Sequence, residues 1–285
     1  MAEPKTTPIA GGGRVRTIRQ PSRLRWPLRI LVIAYLFLLV IWPVALVAIQ
    51  TFADGLGPVL DSLRQPEVIF AFKLTLSIAF WAVVINTIFG VGISLLLVRY
   101  EFPGRRALSA LIDLPLSVSP VVVGLALLLV YSGSGWLGGS LENVGLQVIY
   151  APLGMILATA FVSLPLVIRE IVPVLHEIGT DQEQAASSLG ASPLQTFLRI
   201  TLPSIRYGIG YGIVLSTARA IGEFGAVSVV SGKIAGQTDT LTLLVENRFQ
   251  NFDVAGAYAA SALLALIALL TLLVMTGLRP RKDES

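Results

Sequence analysis

Three ionisable side chains fall inside long apolar runs: Asp113, Arg219 and Glu223. A charge at that depth is costly and ordinarily faces a partner or a water-filled path. Arg219 and Glu223 stand four residues apart with the base first, the weaker orientation for a helical pair. Asp113 lies roughly 9 Å and Arg219 roughly 18 Å from the same end of their runs, at 1.5 Å per residue. A long arginine can narrow that gap into a bridge. Arg219 therefore has two readings: a group that sets the field along an anion path, or a buried bridge holding two helices together. The bridge is favoured, because an anion held tightly at mid-membrane by naked positive charge would be hard to release. Ser117 and Ser119, beside Pro120, offer neutral hydroxyl donors to an anion, or bond back to their own helix.

Other chemistries lack their residues. The chain has no cysteine and one histidine, His176. That excludes a disulfide framework and a thiolate site, and a lone histidine cannot supply a zinc ligand set. His176 is expected on a solvated loop, with no second base to make it catalytic. No paired carboxylates and no nucleophile–base pair fall in the apolar runs, so an intramembrane enzyme has nothing to work with. The segment 132–140, SGSGWLGGS, has no Gly-Lys-Ser/Thr ending and reads as a flexible extracytoplasmic loop rather than a phosphate cradle. No cofactor and no nucleotide site are expected.

The elements that must position these groups are membrane spans. The 285 residues are 54% hydrophobic and 13% charged, and a soluble domain would carry about twice that charged fraction. Apolar runs give six expected spans, at 28–52, 74–98, 107–131, 148–168, 207–231 and 257–278, each near or above the roughly 20 residues a bilayer requires. Pro43, Pro115, Pro120, Pro152 and Pro165 lie within them, so kinked, packed helices are expected. Residues 1–27 read as a disordered basic tail and 279–285 as a second short tail. The six-span domain is 28–278, with a long polar loop at 169–206. Of 21 Lys and Arg residues, 16 fall on the side holding both termini and that loop. The positive-inside rule makes that side cytoplasmic, in a multi-pass membrane protein. Basic residues flank spans rather than form a stripe, so membrane lipid is expected as a partner and nucleic acid is not. Gly208, Gly212, Ser216 and Ala220 recur every fourth residue, a ridge for close helix packing.

The loop carries its own pattern. Thr180 and Glu183 make a T-x-x-E capping box, and Ser192 and Gln195 an S-x-x-Q box with Pro193 at the first helical position. Two short helices split at Gly190 follow from that. Leu194, Phe197 and Leu198 form an apolar stripe too short for a span, and such a stripe needs a partner.

Ala185-Ala186, Gly190 and Ile200-x-Leu202-Pro203 resemble the cytoplasmic "EAA" loop of ABC importer permeases. The strings Leu114 to Gly124 and Ala218 to Ala226 are similar to the sulfate/thiosulfate and molybdate branch. Continuing through Val227 to Gly232 and Thr238-x-Thr240-Leu241, the chain looks most like the W-type subunit of sulfate/thiosulfate importers. The likeness runs from about Leu74 to Leu278. One position departs: Gln184 stands where the family loop usually has glutamate. The resemblance implies an all-α membrane protein with the six-helix type I ABC importer permease fold and a coupling-helix hairpin. It also implies two ATP-binding subunits docked under the hairpins, a second related permease, and an extracytoplasmic sulfate-binding protein. Gln184, Ala185, Ala186, Leu189, Gly190, Ala191 and Ser192 would seat in the ATPase groove, by shape more than by an ion pair. Asp113, Ser117, Ser119, Arg219 and Glu223 would line the path or form the buried bridge. Molybdate or tungstate is the alternative cargo, since these dianions make similar demands. A passive channel would have no need of a capped hairpin, and a DNA-reading helix pair would not be wired between two spans.

Overall fold

The computed structural model describes residues 22–53 and 55–278. Most of the expected tails lies outside them, although the first helix already starts at Ser22. The chain divides into two units, 1–46 and 47–285. The first holds α1 (Ser22–Leu36), a π-helical turn at Phe37–Ile41 and the start of α2 (Trp42–Thr51).

The second unit is a helical bundle. It comprises α3 (Leu56–Leu63), α4 (Pro66–Arg99), α5 (Arg105–Ser117), α6 (Pro120–Tyr131), α7 (Gly138–Glu142) and α8 (Pro152–Ile178). There follow α9 (Asp181–Ser188), α10 (Pro193–Thr196), a π-helical turn at Phe197–Thr201, α11 (Leu202–Ser204) and α12 (Arg206–Ile221). Last come α13 (Gly225–Val230), α14 (Leu241–Gln250) and α15 (Val254–Leu278). The short helix α7 occupies part of what reads in sequence as a flexible loop.

Among the described residues, four helical stretches are long and apolar enough to cross a membrane unaided: Trp26–Thr51, Pro66–Arg99, Pro152–Ile178 and Val254–Thr271. The two remaining expected spans are broken. The span expected at 107–131 divides into α5 and α6, bent by 112°. The cause is local: Pro120 pushes the residue before it out of the helical region, and Ser119 (ψ 134°) and Val118 (ψ 139°) are both extended. The span expected at 207–231 stops at Ile221 and resumes at Gly225. In the other direction, α8 runs ten residues past the expected end at 168. Ile171 and Leu175 are fully buried and carry its apolar face beyond the charge of Arg169. His176 consequently sits in the last turn of a helix, not on a loop.

The bundle closes around α8 through glycines. A Cβ on Gly90 of α4 would stand 2.8 Å from Val167 Cγ1, and one on Gly212 of α12 would stand 3.0 Å from Val167 Cα. Gly208 meets the Glu170 carbonyl at the same 3.0 Å. The small-residue ridge of α12 is thus spent inside this chain. Ser216 accepts a long hydrogen bond (3.4 Å) from Asn86 Nδ2, which also donates to Ser163 Oγ at 2.8 Å. One buried amide thereby ties α4, α8 and α12, as buried polar groups in an apolar bundle demand.

Candidate functional site: a clamped hairpin and two abutting helix breaks

Two assemblies at opposite depths carry the candidate residues. The first is the hairpin after α8. Gly179 (φ 62°) ends α8, and α9 begins within two residues. The Ser192 capping box forms as expected: Ser192 Oγ accepts from Gln195 N, and Gln195 Oε1 accepts from Ser192 N. The Thr180 box does not. Thr180 makes no cap bond to the backbone of α9, and its hydroxyl instead accepts from Gln184 Nε2 at 3.0 Å. Glu183 is drawn away by the Arg99 guanidinium, whose Nη2 donates to its Oε1 at 3.2 Å and whose Nε lies 2.9 Å from its Oε2. A guanidinium–carboxylate contact outcompetes a neutral amide as partner for a carboxylate. Arg99 also donates to the Gly179 carbonyl (2.7 Å) and the Leu175 carbonyl (3.2 Å), and Thr201 Oγ1 donates to Glu183 Oε1 at 2.8 Å. The base of the hairpin is therefore clamped to the end of α4 and to the end of α8.

Its tip is bare. Leu189 is 88% exposed and Leu194 66% exposed. Gly190 adopts φ +86°, a left-handed turn that L side chains resist, and a Cβ there would meet open space. Gln184, Ala185 and Ser192 are exposed, with Ala186 and Ala191 intermediate. The expected apolar stripe divides: Phe197 packs against the Ile171 and Leu175 cluster, whereas Leu194 and Leu198 face outward. An apolar tip on a rigid base is a surface awaiting a partner.

The second assembly lies where the two broken spans meet. A Cβ on Gly225 would stand 2.9 Å from Pro120 Cβ, and one on Gly124 would stand 2.7 Å from the Ala226 carbonyl. The break between α5 and α6 thus abuts the break between α12 and α13. Non-helical backbone at membrane depth survives only where protein buries it or a cavity hydrates it, and discontinuous helices commonly frame binding sites. Ser117 and Ser119 are exposed at the first break, and Ser119 makes no side-chain cap bond to α6. At the second, Glu223 has a side chain only 1% exposed. It pairs with Arg219 Nη1 at 2.6 Å and accepts from Ala226 N at 2.9 Å, which fixes the start of α13.

The Asp113–Arg219 bridge is not formed. Asp113 pairs instead with Arg169, whose Nη2 lies 3.0 Å from Asp113 Oδ1. The reason is depth. Asp113 stands eight residues from the start of α5 and Arg169 nine from the end of α8, so the two meet at matching depth, while Arg219 has a carboxylate one turn away on its own segment. Sequence reasoning missed Arg99, Thr201, Arg169 and Asn86. Of these, only Arg99 left a usable signal, as a charge closing a long apolar run.

On the opposite side of the bundle from the hairpin, Asp239 is 2% exposed, with neither carboxylate oxygen hydrogen-bonded among the described residues. Burial pushes its carboxyl up to about 6; Lys233 opposes the rise, and Glu67 and Glu246 reinforce it.

A helical membrane bundle with two abutting helix breaks and a clamped hairpin whose apolar tip is bare has the architecture of a transport permease. The chain belongs to the binding-protein-dependent transport system inner membrane component family, which it matches over residues 87–284. It is 48% identical over 245 residues to the sulfate transport system permease protein CysW of Synechococcus elongatus, covering 85% of this chain and 86% of that one. It is 47% identical over 232 residues to the chloroplastic sulfate permease 2 of Chlamydomonas reinhardtii, covering 81% of this chain but 63% of that longer protein. In fold it is similar to a bacterial ABC transporter involved in alginate import, with TM-score 0.75 at 17% identity over 92% of this chain and 96% of that one. The fold is that of a type I ABC importer permease, in a multi-pass inner membrane protein.

Proposed function

We propose that this chain is the W-type permease subunit of an ATP-driven sulfate/thiosulfate importer, with both termini and the hairpin cytoplasmic. The carrying observation is the pairing of a bare apolar hairpin tip with a clamped base. Such a tip can receive force, and Arg99 and Thr201 can pass it to α4 and α12. Two ATP-binding subunits would grip the tips of this chain and of a second, related permease, and an extracytoplasmic sulfate-binding protein would deliver the anion. Closure of the ATPases would rock α4, α8 and α12 together and open the abutting breaks alternately to the two sides.

The cargo reading is supported by the sulfate permeases named above, at 47–48% identity. Exposed hydroxyls at the first break also suit a tetrahedral dianion. They give it hydrogen bonds without a naked cation, since Arg219 is neutralised by Glu223. Uptake of radiolabelled sulfate in cells lacking the gene, restored, or carrying Gly190→Asp tests the reading. Loss on deletion, competition by thiosulfate but not molybdate, and a Gly190→Asp protein that reaches the membrane without transporting are the expected results. Untouched sulfate uptake with diminished molybdate uptake would assign the other cargo.

A further inference from the structure

Between the ends of α4 and α8 and the start of α5 lies a cavity of about 380 Å³, lined by no residue of the two helix breaks. Leu97, Val98 and Val172 form its apolar floor, and Arg105, Arg106, Ser109 and His176 form its polar rim. Among the described residues neither arginine is in an ion pair. Glu101 and Glu177 are neighbours in sequence, but neither lines the cavity. Both arginines open the 13-residue helix α5 after Gly104, so its N-terminal dipole adds to their field.

We propose that this cavity holds the phosphate headgroup of an anionic phospholipid. The position decides for a lipid. Three helices enter or leave the bundle here, and on the orientation proposed above this is the cytoplasmic interface, where anionic headgroups gather and basic interhelical pockets take them. The apolar floor fits the glycerol and first methylenes of such a lipid and offers nothing to a free hydrated anion. The transported anion is not the occupant: from Arg105 to the break after Ser117 is roughly 18 Å along α5. The cavity also touches the hairpin clamp. Val98 precedes Arg99, and His176 follows Leu175, whose carbonyl takes an Arg99 hydrogen bond. An occupied cavity would thus hold together the two helix ends on which the hairpin is anchored.

Native mass spectrometry of the purified full chain, offered phosphatidylglycerol or phosphatidylcholine of the same acyl composition, tests this without any transport assay. Retained phosphatidylglycerol, and none of the zwitterionic lipid, is expected. Arg105→Gln with Arg106→Gln should weaken retention roughly 30-fold, about 2 kcal/mol, from about 1 kcal/mol per basic residue. Arg105→Lys with Arg106→Lys should keep most of it, and Arg64→Gln, outside the cavity, should change nothing. Ser109→Glu, which adds an anion to an intact rim, should also weaken it. Equal retention of both lipids, or no loss in the double glutamine variant, overturns the proposal. So does full displacement by millimolar inorganic phosphate, which would make this a free-anion site.

Discussion

Arg99, the last residue of α4, and Glu183, in the first turn of α9, are 84 positions apart and meet at 2.9 Å with side chains only 12% and 19% exposed. The longest helix of the bundle is thereby fastened to the element a motor subunit would push. Arg99→Ala should lower sulfate uptake roughly tenfold, because a charge-assisted contact of this kind contributes about 1.5–3 kcal/mol. Membrane levels should fall less than about twofold, since α4 packs on α8 elsewhere through Gly90. The double exchange Arg99→Glu with Glu183→Arg should recover part of the uptake. A double exchange no better than either single change would remove the clamp from the coupling route.

The tip makes a separate case. Leu189 is almost wholly exposed, so Leu189→Asp removes no packing from this chain and should leave its thermal stability within about 0.5 kcal/mol. Uptake should nonetheless be lost if an apolar groove receives the residue, because seating a carboxylate in such a groove is costly. Comparing detergent melting of the permease with uptake in cells checks both halves. Normal uptake would show that Leu189 meets water in the working complex.

What sequence alone revealed follows physical range. Long apolar runs mark α4 and α8 locally, and Ser192 with Gln195 bond across three residues, so these were legible. Pro66 and Pro152 as the first residues of α4 and α8 were not read as such. The T-x-x-E pattern at Thr180 misled because its glutamate answers to Arg99, a residue brought near only by tertiary packing. The same holds for Asp113, whose partner depends on the relative depth of two helices rather than on either sequence. Continuous spans were expected at 107–131 and 207–231 because apolarity does not register a bend. The proline at 120 was visible, but the size of the bend, 112°, and its seating against α13 are features of the folded chain.

Glycine positions around α8 separate close packing from mere tolerance. Gly212→Val should destabilise by about 1–3 kcal/mol, since even the first added carbon, a Cβ, would lie 3.0 Å from Val167 Cα. Gly210→Ala, on the same helix with nothing within 4 Å, should be neutral or gain up to about 1 kcal/mol from helix propensity. Melting temperatures in one detergent decide it. Equal effects at the two positions would mean that α12 does not ride on α8 through Gly212.

Asp239 gives the molecule a pH signature on the side away from the hairpin. Its carboxyl is raised from 3.8 to about 6, chiefly by burial. The folded protein therefore holds this proton more tightly than the unfolded chain does. Between about pH 4 and 6 the folded state carries the extra proton, so stability must fall as pH rises through that window and level off above it. Ionisation there leaves a buried carboxylate with no hydrogen-bond donor, opposed only partly by Lys233, which is itself paired to Glu246 at 2.9 Å. Asp239→Asn removes the titration while keeping the shape. The variant should melt higher than the parent at pH 8, and the gap should narrow to roughly a third as both are taken to pH 4.5. The residual slope from other groups is common to both proteins and cancels in the comparison. Parallel pH profiles would mean that Asp239 finds a donor in the assembled complex, and Lys233→Gln would then show whether that donor is the lysine released from Glu246.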